Sequence, residues 1–152
     1  MPLKEYKQKR DLKKSGEPES KKSVKKSEER IFVVHEHHAS HLHWDLRLEM
    51  NRVLKSWAIP KEPPTTKEVK RLAIQVEDHP LSYANFKGII PEGNYGAGEV
   101  KIWDNGTYEL LKNSEKEIEI NFKGRKLKGK YALIKTHYGN KPDKSWLFMK
   151  LE

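Results

Sequence analysis

Five of the chain's seven histidines lie between positions 35 and 43, in a stretch that reads VHEHHASHLHWDLRLEM. An aspartate and an arginine follow directly, at positions 45 and 47. Imidazole and carboxylate groups are metal ligands, and a guanidinium group pairs with phosphate or carboxylate oxygens. These residue types therefore favour a metal site beside a group that binds an anion.

The element that carries these residues is predicted to be a strand, because residues 41–50 alternate between polar and apolar side chains. Alternate side chains of a strand share one face of a sheet. The apolar set would face the core, and it consists of Leu42, Trp44, Leu46, Leu48 and Met50. The polar set would share the other face, and it consists of His41, His43, Asp45, Arg47 and Glu49.

Three residues of this region form a candidate metal site. His43 and Asp45 are two apart, so both can reach one point above the sheet, and His37 can fold over that point across the bend at residues 39–40. Two imidazoles and a carboxylate leave coordination positions open, and without thiolate they suit Mn, Fe(II), Zn, Ni or Co. Arg47 lies further along the same face and could bind a phosphate. For His35, His38 and His41, an ordinary surface role is equally well supported.

Two further segments hold candidate site residues. The run EDHPLSY, residues 77–83, follows an alternating strand pattern, and strand ends often carry site residues. There His79 could act as a general acid and Tyr83 as a hydrogen-bond donor. The glycine-rich run GIIPEGNYGAGEV lacks the Gly-Lys-Ser/Thr ending of a phosphate loop, so we interpret it as turns.

The remaining pattern predicts an all-β sandwich or barrel. About nine short alternating runs are joined by turn signals, and no long amphipathic helix is present. The Asn51-Arg52 pair predicts a turn, and Asp104-Asn105-Gly106 predicts a hairpin. Short helices are expected around 64–70 and in the N-terminal segment. The predicted strands lie at 31–34, 41–50, 53–59, 72–76, 98–103, 107–111, 118–122, 131–135 and 146–151.

Composition separates the first 30 residues from the rest. They contain eleven Lys/Arg, six Asp/Glu and only five apolar residues, which is typical of a solvated basic segment. The core domain is therefore expected at 31–152. The net charge is +9, which favours a polyanionic partner, nucleic acid first. The absence of cysteine excludes disulfides, thiolate zinc sites and cysteine nucleophiles. No apolar run reaches the roughly 20 residues of a membrane span, so no membrane association is expected.

Several long motifs resemble one known family. HASHLHWDLRLEM, LKSWAIPK, RLAIQVEDHPLSYANFKGIIPEGNYGAGEV and IWDNGTYE resemble the 3′-phosphoesterase family, a domain of bacterial DNA ligase D that also occurs as a free-standing archaeal protein. The resemblance extends from about Tyr6 to Leu151, and we expect the stand-alone form. It implies a small, open β-barrel of eight to nine strands with a crescent-shaped groove.

The resemblance also implies an activity. The family's enzymes use manganese to remove a 3′-terminal ribonucleoside and then hydrolyse the remaining 3′-phosphate to a 3′-hydroxyl; Co²⁺ or Zn²⁺ could occupy the same site. The substrate would be the 3′ end of a DNA or DNA–RNA primer strand. A separate DNA ligase, a polymerase and a Ku-type end-binding protein could act in trans. We expect a cytoplasmic monomer.

The family's functional residues map onto this sequence residue by residue. Its metal ligands fall on His37, His43 and Asp45, its phosphate-contacting arginine on Arg47, its second catalytic histidine on His79 and its tyrosine on Tyr83. Supporting polar residues fall on Lys61, Arg71 and Glu77, and N-terminal ones on Arg10, Asp11 and Glu17. This mapping predicts that residues 6–18 dock near the site and that 19–29 form a linker. His35 departs from the family, which often has glutamine there, so its role is the least defined.

Two other functions are consistent with these residues. The His-Trp-Asp run at 43–45 with a later histidine also matches the metal triad of an iron/2-oxoglutarate oxygenase, although His79 follows only 36 residues on. Alternatively, the protein could be a non-catalytic β-barrel that binds nucleic acid and picks up stray metal through its histidines. Chelation would leave DNA affinity unchanged in the second case.

Overall fold

The computed structural model describes residues 29–93, 97–137 and 141–152. Nine strands account for most of these residues. They are β1 (Arg30–His38), β2 (Leu42–Met50), β3 (Val53–Ile59), β4 (Lys70–His79), β5 (Gly88–Ile90), β6 (Gly98–Asn113), β7 (Glu117–Lys123), β8 (Lys128–Lys135) and β9 (Ser145–Lys150). The expected mainly-β fold with few short helices is confirmed.

The strands form one antiparallel sheet in the order β1-β2-β3-β4-β9-β8-β7-β6-β5, and β1 also pairs with β6. That last pairing closes eight strands into a barrel, where the sequence analysis expected an open one. Closure depends on the length of β6, which spans 16 residues. Its first part pairs with β5 and β1, and its last part pairs with β7. A strand this long can serve both edges of the sheet because strands in a barrel are tilted.

The hairpin predicted at Asp104-Asn105-Gly106 is wrong, because β6 runs through these residues without turning. The register of β1 against β6 shifts there, which marks a bulge rather than a turn. Asp104 is buried, and its carboxylate accepts hydrogen bonds from the backbone N–H groups of residues 125–127 at 2.8–3.0 Å. A Cβ at Gly106 would lie 2.5 Å from the Lys123 carbonyl oxygen, so glycine allows close strand contact. The turn-forming residues thus serve this contact instead.

Other local predictions have mixed outcomes. The Asn51-Arg52 turn is confirmed, and both residues have positive φ angles, as a two-residue hairpin turn requires. No helix forms at 64–70. Proline restricts the residue before it to extended backbone, and the Pro64 carbonyl accepts a 2.8 Å hydrogen bond from the Tyr131 hydroxyl. The described helices are short 3₁₀ turns at 81–85 and 142–144, and none in the described ranges could cross a membrane.

Two apolar clusters hold the fold together. The barrel interior is filled with aromatic and branched side chains from β1 to β4 and β6 to β9, among them Trp57, Tyr131 and Phe148. A smaller cluster lies on the outer face, where Leu81 and Ala84 of the first 3₁₀ turn pack with Val33 of β1 and Leu54 of β3. The 3₁₀ turn therefore covers an outer face that would otherwise be open to water. The N-terminal segment and its predicted docking lie outside the described residues.

The carboxylate of Asp104 gives a test of the β6 geometry. We expect Asp104→Asn to lower the free energy of unfolding by about 2 kcal/mol, since an amide replaces one charged acceptor oxygen with a donor that faces backbone N–H groups. Urea unfolding followed by tryptophan fluorescence measures this change. Glu109→Gln removes the same charge from an exposed position of β6, and it should leave the unfolding midpoint close to that of the parent. Equal midpoints for the two variants would show that Asp104 does not anchor the loop.

Candidate functional site

The register between β1 and β2 places the candidate site residues in adjacent rows. His37 lies directly opposite His43, and His35 lies opposite Asp45. Residues opposite each other in an antiparallel pair share a face. Arg47 in turn lies opposite Ser56 of β3. The outer face of three neighbouring strands thus presents a compact set of ionisable groups.

The three predicted metal ligands lie together. Their ligand atoms all fall within 4.8 Å of one another. His37 Nδ1 is 3.7 Å and His43 Nε2 is 3.3 Å from Asp45 Oδ2. Two imidazole nitrogens and one carboxylate oxygen in this spacing fit a divalent transition metal, and the set contains no thiolate. The residues present therefore fit a metal ion with open coordination positions.

Neighbouring groups orient these ligands. His43 Nδ1 lies 3.1 Å from the His41 carbonyl oxygen, so Nδ1 carries the proton and Nε2 is left to bind a metal. The hydrogen bond with Asp45 raises the pKa of His43. Burial opposes ionisation of Asp45, but hydrogen bonds from His37 and His43 and the charge of Arg47 hold its pKa below the usual value. The carboxyl group is therefore in the form that binds a cation.

Arg47 is the most enclosed charge in the site, with only 4% of its surface exposed. Its Nε donates to His35 Nδ1 at 3.0 Å, and its Nη1 donates to Ser56 Oγ at 2.8 Å. Its Nη2 lies 3.4 Å from Asp45 Oδ2. Two edges of the guanidinium group are thus held by the protein, and Nη2 is the part nearest the metal ligands.

The contacts of His35 define its protonation state. Because Nδ1 accepts from Arg47, the ring proton lies on Nε2, which donates to the Phe86 carbonyl oxygen at 3.0 Å. Burial, together with the nearby charge of Arg47, lowers the pKa of His35 to about 4. A fully buried neutral imidazole with both nitrogens bonded connects the segment after the 3₁₀ turn to Arg47.

His79 and Tyr83 lie on the other side of Arg47. His79 Nδ1 is 3.2 Å from Arg47 Nη1 and 3.1 Å from the Glu77 carbonyl oxygen. The ring of Tyr83 packs 5.0 Å from that of His79, and the Arg47 guanidinium carbon is 4.9 Å from its centre. Burial lowers the pKa of His79 and raises that of Tyr83. Tyr83 therefore keeps its proton and remains a hydrogen-bond donor.

The other predicted residues are placed less centrally. Glu77 reaches His79 through its backbone carbonyl. Lys61 and Arg71 line a separate cavity of about 280 Å³ beyond the end of β3, where Arg71 Nε donates to the Glu62 carbonyl at 2.7 Å. His38 pairs with a carboxylate on its own strand rather than with the metal ligands. Arg10, Asp11 and Glu17 lie outside the described residues.

Two residues at the site were not predicted from the sequence. Ser56 is fully buried and bonded to Arg47, and Phe86 stacks on Tyr83 with 5.0 Å between ring centres. Alternation along β3, combined with a two-residue turn after β2, would have placed Ser56 opposite Arg47. The role of Phe86 depends on its carbonyl group and on the path of the chain after the 3₁₀ turn. No residue pattern signals that path.

Comparison with known proteins assigns this arrangement to a family. The family model that describes the DNA ligase D 3′-phosphoesterase domain matches residues 35–135. The chain belongs to this family. The matched region contains the metal ligands, Arg47, His79 and Tyr83, so the resemblance inferred from the sequence motifs is confirmed.

Relatives of the chain are larger bacterial proteins. The multifunctional non-homologous end joining protein LigD of Pseudomonas aeruginosa is 45% identical over 155 residues, which is 98% of this chain and 18% of the relative. The LigD proteins of Mycobacterium tuberculosis and Mycolicibacterium smegmatis are 45% and 44% identical over 89% and 93% of this chain. The chain thus spans less than one fifth of the length of these relatives.

The metal ligands can be tested without an activity assay. We expect His43→Ala to lose at least tenfold in affinity for Mn²⁺, measured by isothermal titration calorimetry, because one of three protein ligands is removed. His43 is partly exposed, so its removal should not unfold the barrel. His41→Ala is the matched control, since it removes an exposed neighbouring histidine and keeps the carbonyl group that orients His43. Equal losses in the two variants would mean that the metal binds the histidine-rich segment non-specifically.

The buried support of Arg47 gives a second test. Ser56→Ala removes an acceptor from a buried guanidinium group, and we expect it to lower the free energy of unfolding by about 1 to 3 kcal/mol in urea titrations. Ser56→Thr retains the hydroxyl group and should recover most of that loss. If alanine were as stable as serine, the hydrogen bond to Arg47 would contribute nothing to holding the group in place.

Proposed function

We propose that this protein is a manganese-dependent 3′-end-processing phosphoesterase. It removes a 3′-terminal ribonucleoside from a DNA or RNA strand and then hydrolyses the remaining 3′-phosphate to a 3′-hydroxyl. The observation that carries this proposal is the single outer face on which the ligand trio lies next to Nη2 of a buried arginine. Membership of the 3′-phosphoesterase family supports the same reaction class.

A bound divalent metal would be held by His37, His43 and Asp45, and it would supply Lewis-acid stabilisation of a phosphate oxygen. The protein's own part begins with Arg47. Its Nε and Nη1 are occupied by His35, Ser56 and His79, so its Nη2 is the group that would contact the phosphate. One fixed contact beside the metal ligands would orient the ester and stabilise charge that develops in the transition state.

His79 and Tyr83 would act on the leaving group. Burial and the nearby Arg47 keep His79 neutral, and the negative charge of a bound phosphate would favour its protonated form. It would then donate a proton to the oxygen that leaves with the ribose. Tyr83 keeps its hydroxyl proton and would donate a hydrogen bond to the substrate. Neither role requires a covalent intermediate, although a histidine nucleophile would be compatible with the same residues.

The relatives' names suggest a context for the reaction. They are described as proteins of non-homologous end joining. We propose that the substrate is a DNA 3′ end awaiting ligation and that a ligase, a polymerase and a Ku-type end-binding protein act on the same end. Arg10, Asp11 and Glu17 would approach the site from the N-terminal segment, and Lys61 and Arg71 would support substrate binding.

The test is a duplex whose primer strand ends in one ribonucleotide. With Mn²⁺, the parent protein should shorten that strand by one nucleoside to a 3′-phosphate and then convert it to a 3′-hydroxyl, both resolved by gel mobility. EDTA should abolish both steps. A second duplex that already carries a 3′-phosphate isolates the second step through release of inorganic phosphate.

The alternatives would give different products. An oxygenase would require 2-oxoglutarate and would release no phosphate. A non-catalytic barrel would bind the duplex equally well in EDTA and would leave it unchanged. Cleavage of a circular single strand as fast as of the primer end would contradict specificity for 3′ ends.

A further inference from the structure

The two ends of the barrel differ in charge. Neighbouring strands are antiparallel, so the start of β2, the end of β3, the start of β4, the end of β9, the start of β8 and the end of β7 meet at one end. His43 is the second residue of β2, so the metal ligands border this end. We name this end, with the loops at 60–69 and 124–127, the basic end.

Cations outnumber carboxylates at the basic end. Ten are present in the described part of the chain: Lys61, Lys67, Lys70, Arg71, Lys123, Arg125, Lys126, Lys128, Lys130 and Lys150. The carboxylates there are Glu29, Glu62, Glu68 and Glu152. Among the described residues, the ion pair of this end joins Lys123 to Glu29. Most of its positive charge is therefore not neutralised by the described carboxylates.

The opposite end is nearly balanced. Its described cations are Arg52, Lys55, Lys112, Lys116, Lys135, Lys141 and Lys144, and its carboxylates are Glu77, Asp78, Glu115, Glu117 and Asp143. Two of these cations are paired, Lys55 with Asp78 at 3.7 Å and Lys112 with Glu117 at 2.9 Å. The excess positive charge of the barrel is thus concentrated beside the metal ligands.

The basic end also has a concave element. Lys61, Lys70 and Arg71 line the cavity of about 280 Å³ together with Pro60 and Leu72. Three cations in one cavity repel one another, and a phosphate group would remove that repulsion. The cavity lies one and two strands away from His43, between the metal ligands and the lysines of β8 and β9. The positive surface is therefore continuous with the candidate active site.

We propose that the basic end binds the phosphate backbone of the nucleic-acid strands that lead to the processed 3′ end. This inference rests on the proposed function, because the same site supplies the end of the track. From β2 to β8 the sheet spans four interstrand steps, roughly 19 Å along the sheet. At 3.4 Å per base pair, that length corresponds to about five or six base pairs. The surface thus determines how much duplex the protein engages behind the reacting end.

The test compares two triple variants with the same loss of charge. The basic-end variant is Lys70→Gln/Lys128→Gln/Lys130→Gln, and the control is Lys112→Gln/Lys116→Gln/Lys141→Gln at the opposite end. Affinity for a fluorescent 12-base-pair duplex is measured in EDTA by anisotropy over a series of salt concentrations. The basic-end variant should lose about tenfold or more in affinity at low salt, and its log–log salt slope should fall by about two to three. The control should remain close to the parent.

Two further measurements separate this inference from the proposed function. Binding in EDTA needs no turnover, so it remains interpretable if the protein hydrolyses nothing. Where hydrolysis occurs, the basic-end variant should release phosphate from a mononucleoside 3′-phosphate at the parent rate, since that substrate does not reach the basic end. The parent's affinity should also rise with duplex length up to about six base pairs and then level off. Equal salt slopes in both triple variants, or no dependence on duplex length, would overturn the proposal.

Discussion

The burial of one guanidinium group is the constraint on which the site depends. Arg47 is 4% exposed, and a buried charge is tolerated only when its N–H groups have acceptors and an opposite charge lies nearby. His35 and Ser56 supply acceptors from the strands on either side, and Asp45 supplies the negative charge. Since Asp45 is also a predicted metal ligand, the arginine and the metal would share one carboxylate. That sharing holds the two positive centres of the site at a fixed separation.

The fold meets this constraint with a feature unusual for a small barrel: the functional groups lie on its outer face. The interior is filled by apolar side chains, so it has no room for a polar site. The outer face of β1 to β3 becomes a semi-enclosed environment because the 3₁₀ turn packs on it, and Phe86 then bonds to His35. Partial exclusion of water strengthens each electrostatic contact around Arg47. The half-exposed His43 marks the side from which a substrate would enter.

Much of this arrangement follows from the sequence, and the exceptions have physical reasons. Period-two alternation identified β2, and it placed His43, Asp45 and Arg47 on one face. Their burial could not be predicted, because it depends on a segment about 35 residues away that covers them. The DNG run was misread because its aspartate is satisfied by a loop some 20 residues later, which local turn propensity ignores. The continuation of β1 through the histidines was also missed, since neither His35 nor His37 looks like a strand residue by itself.

The central claim is that the three ligands and Arg47 act on one phosphate group. Anomalous diffraction from crystals grown with Mn²⁺ and inorganic phosphate tests it most directly. The account predicts one manganese peak within bonding distance of His37, His43 and Asp45, with a phosphate oxygen shared between the metal and Arg47 Nη2. A manganese ion bound instead by His38 or His41, or a phosphate that leaves Arg47 Nη2 without contact, would contradict it.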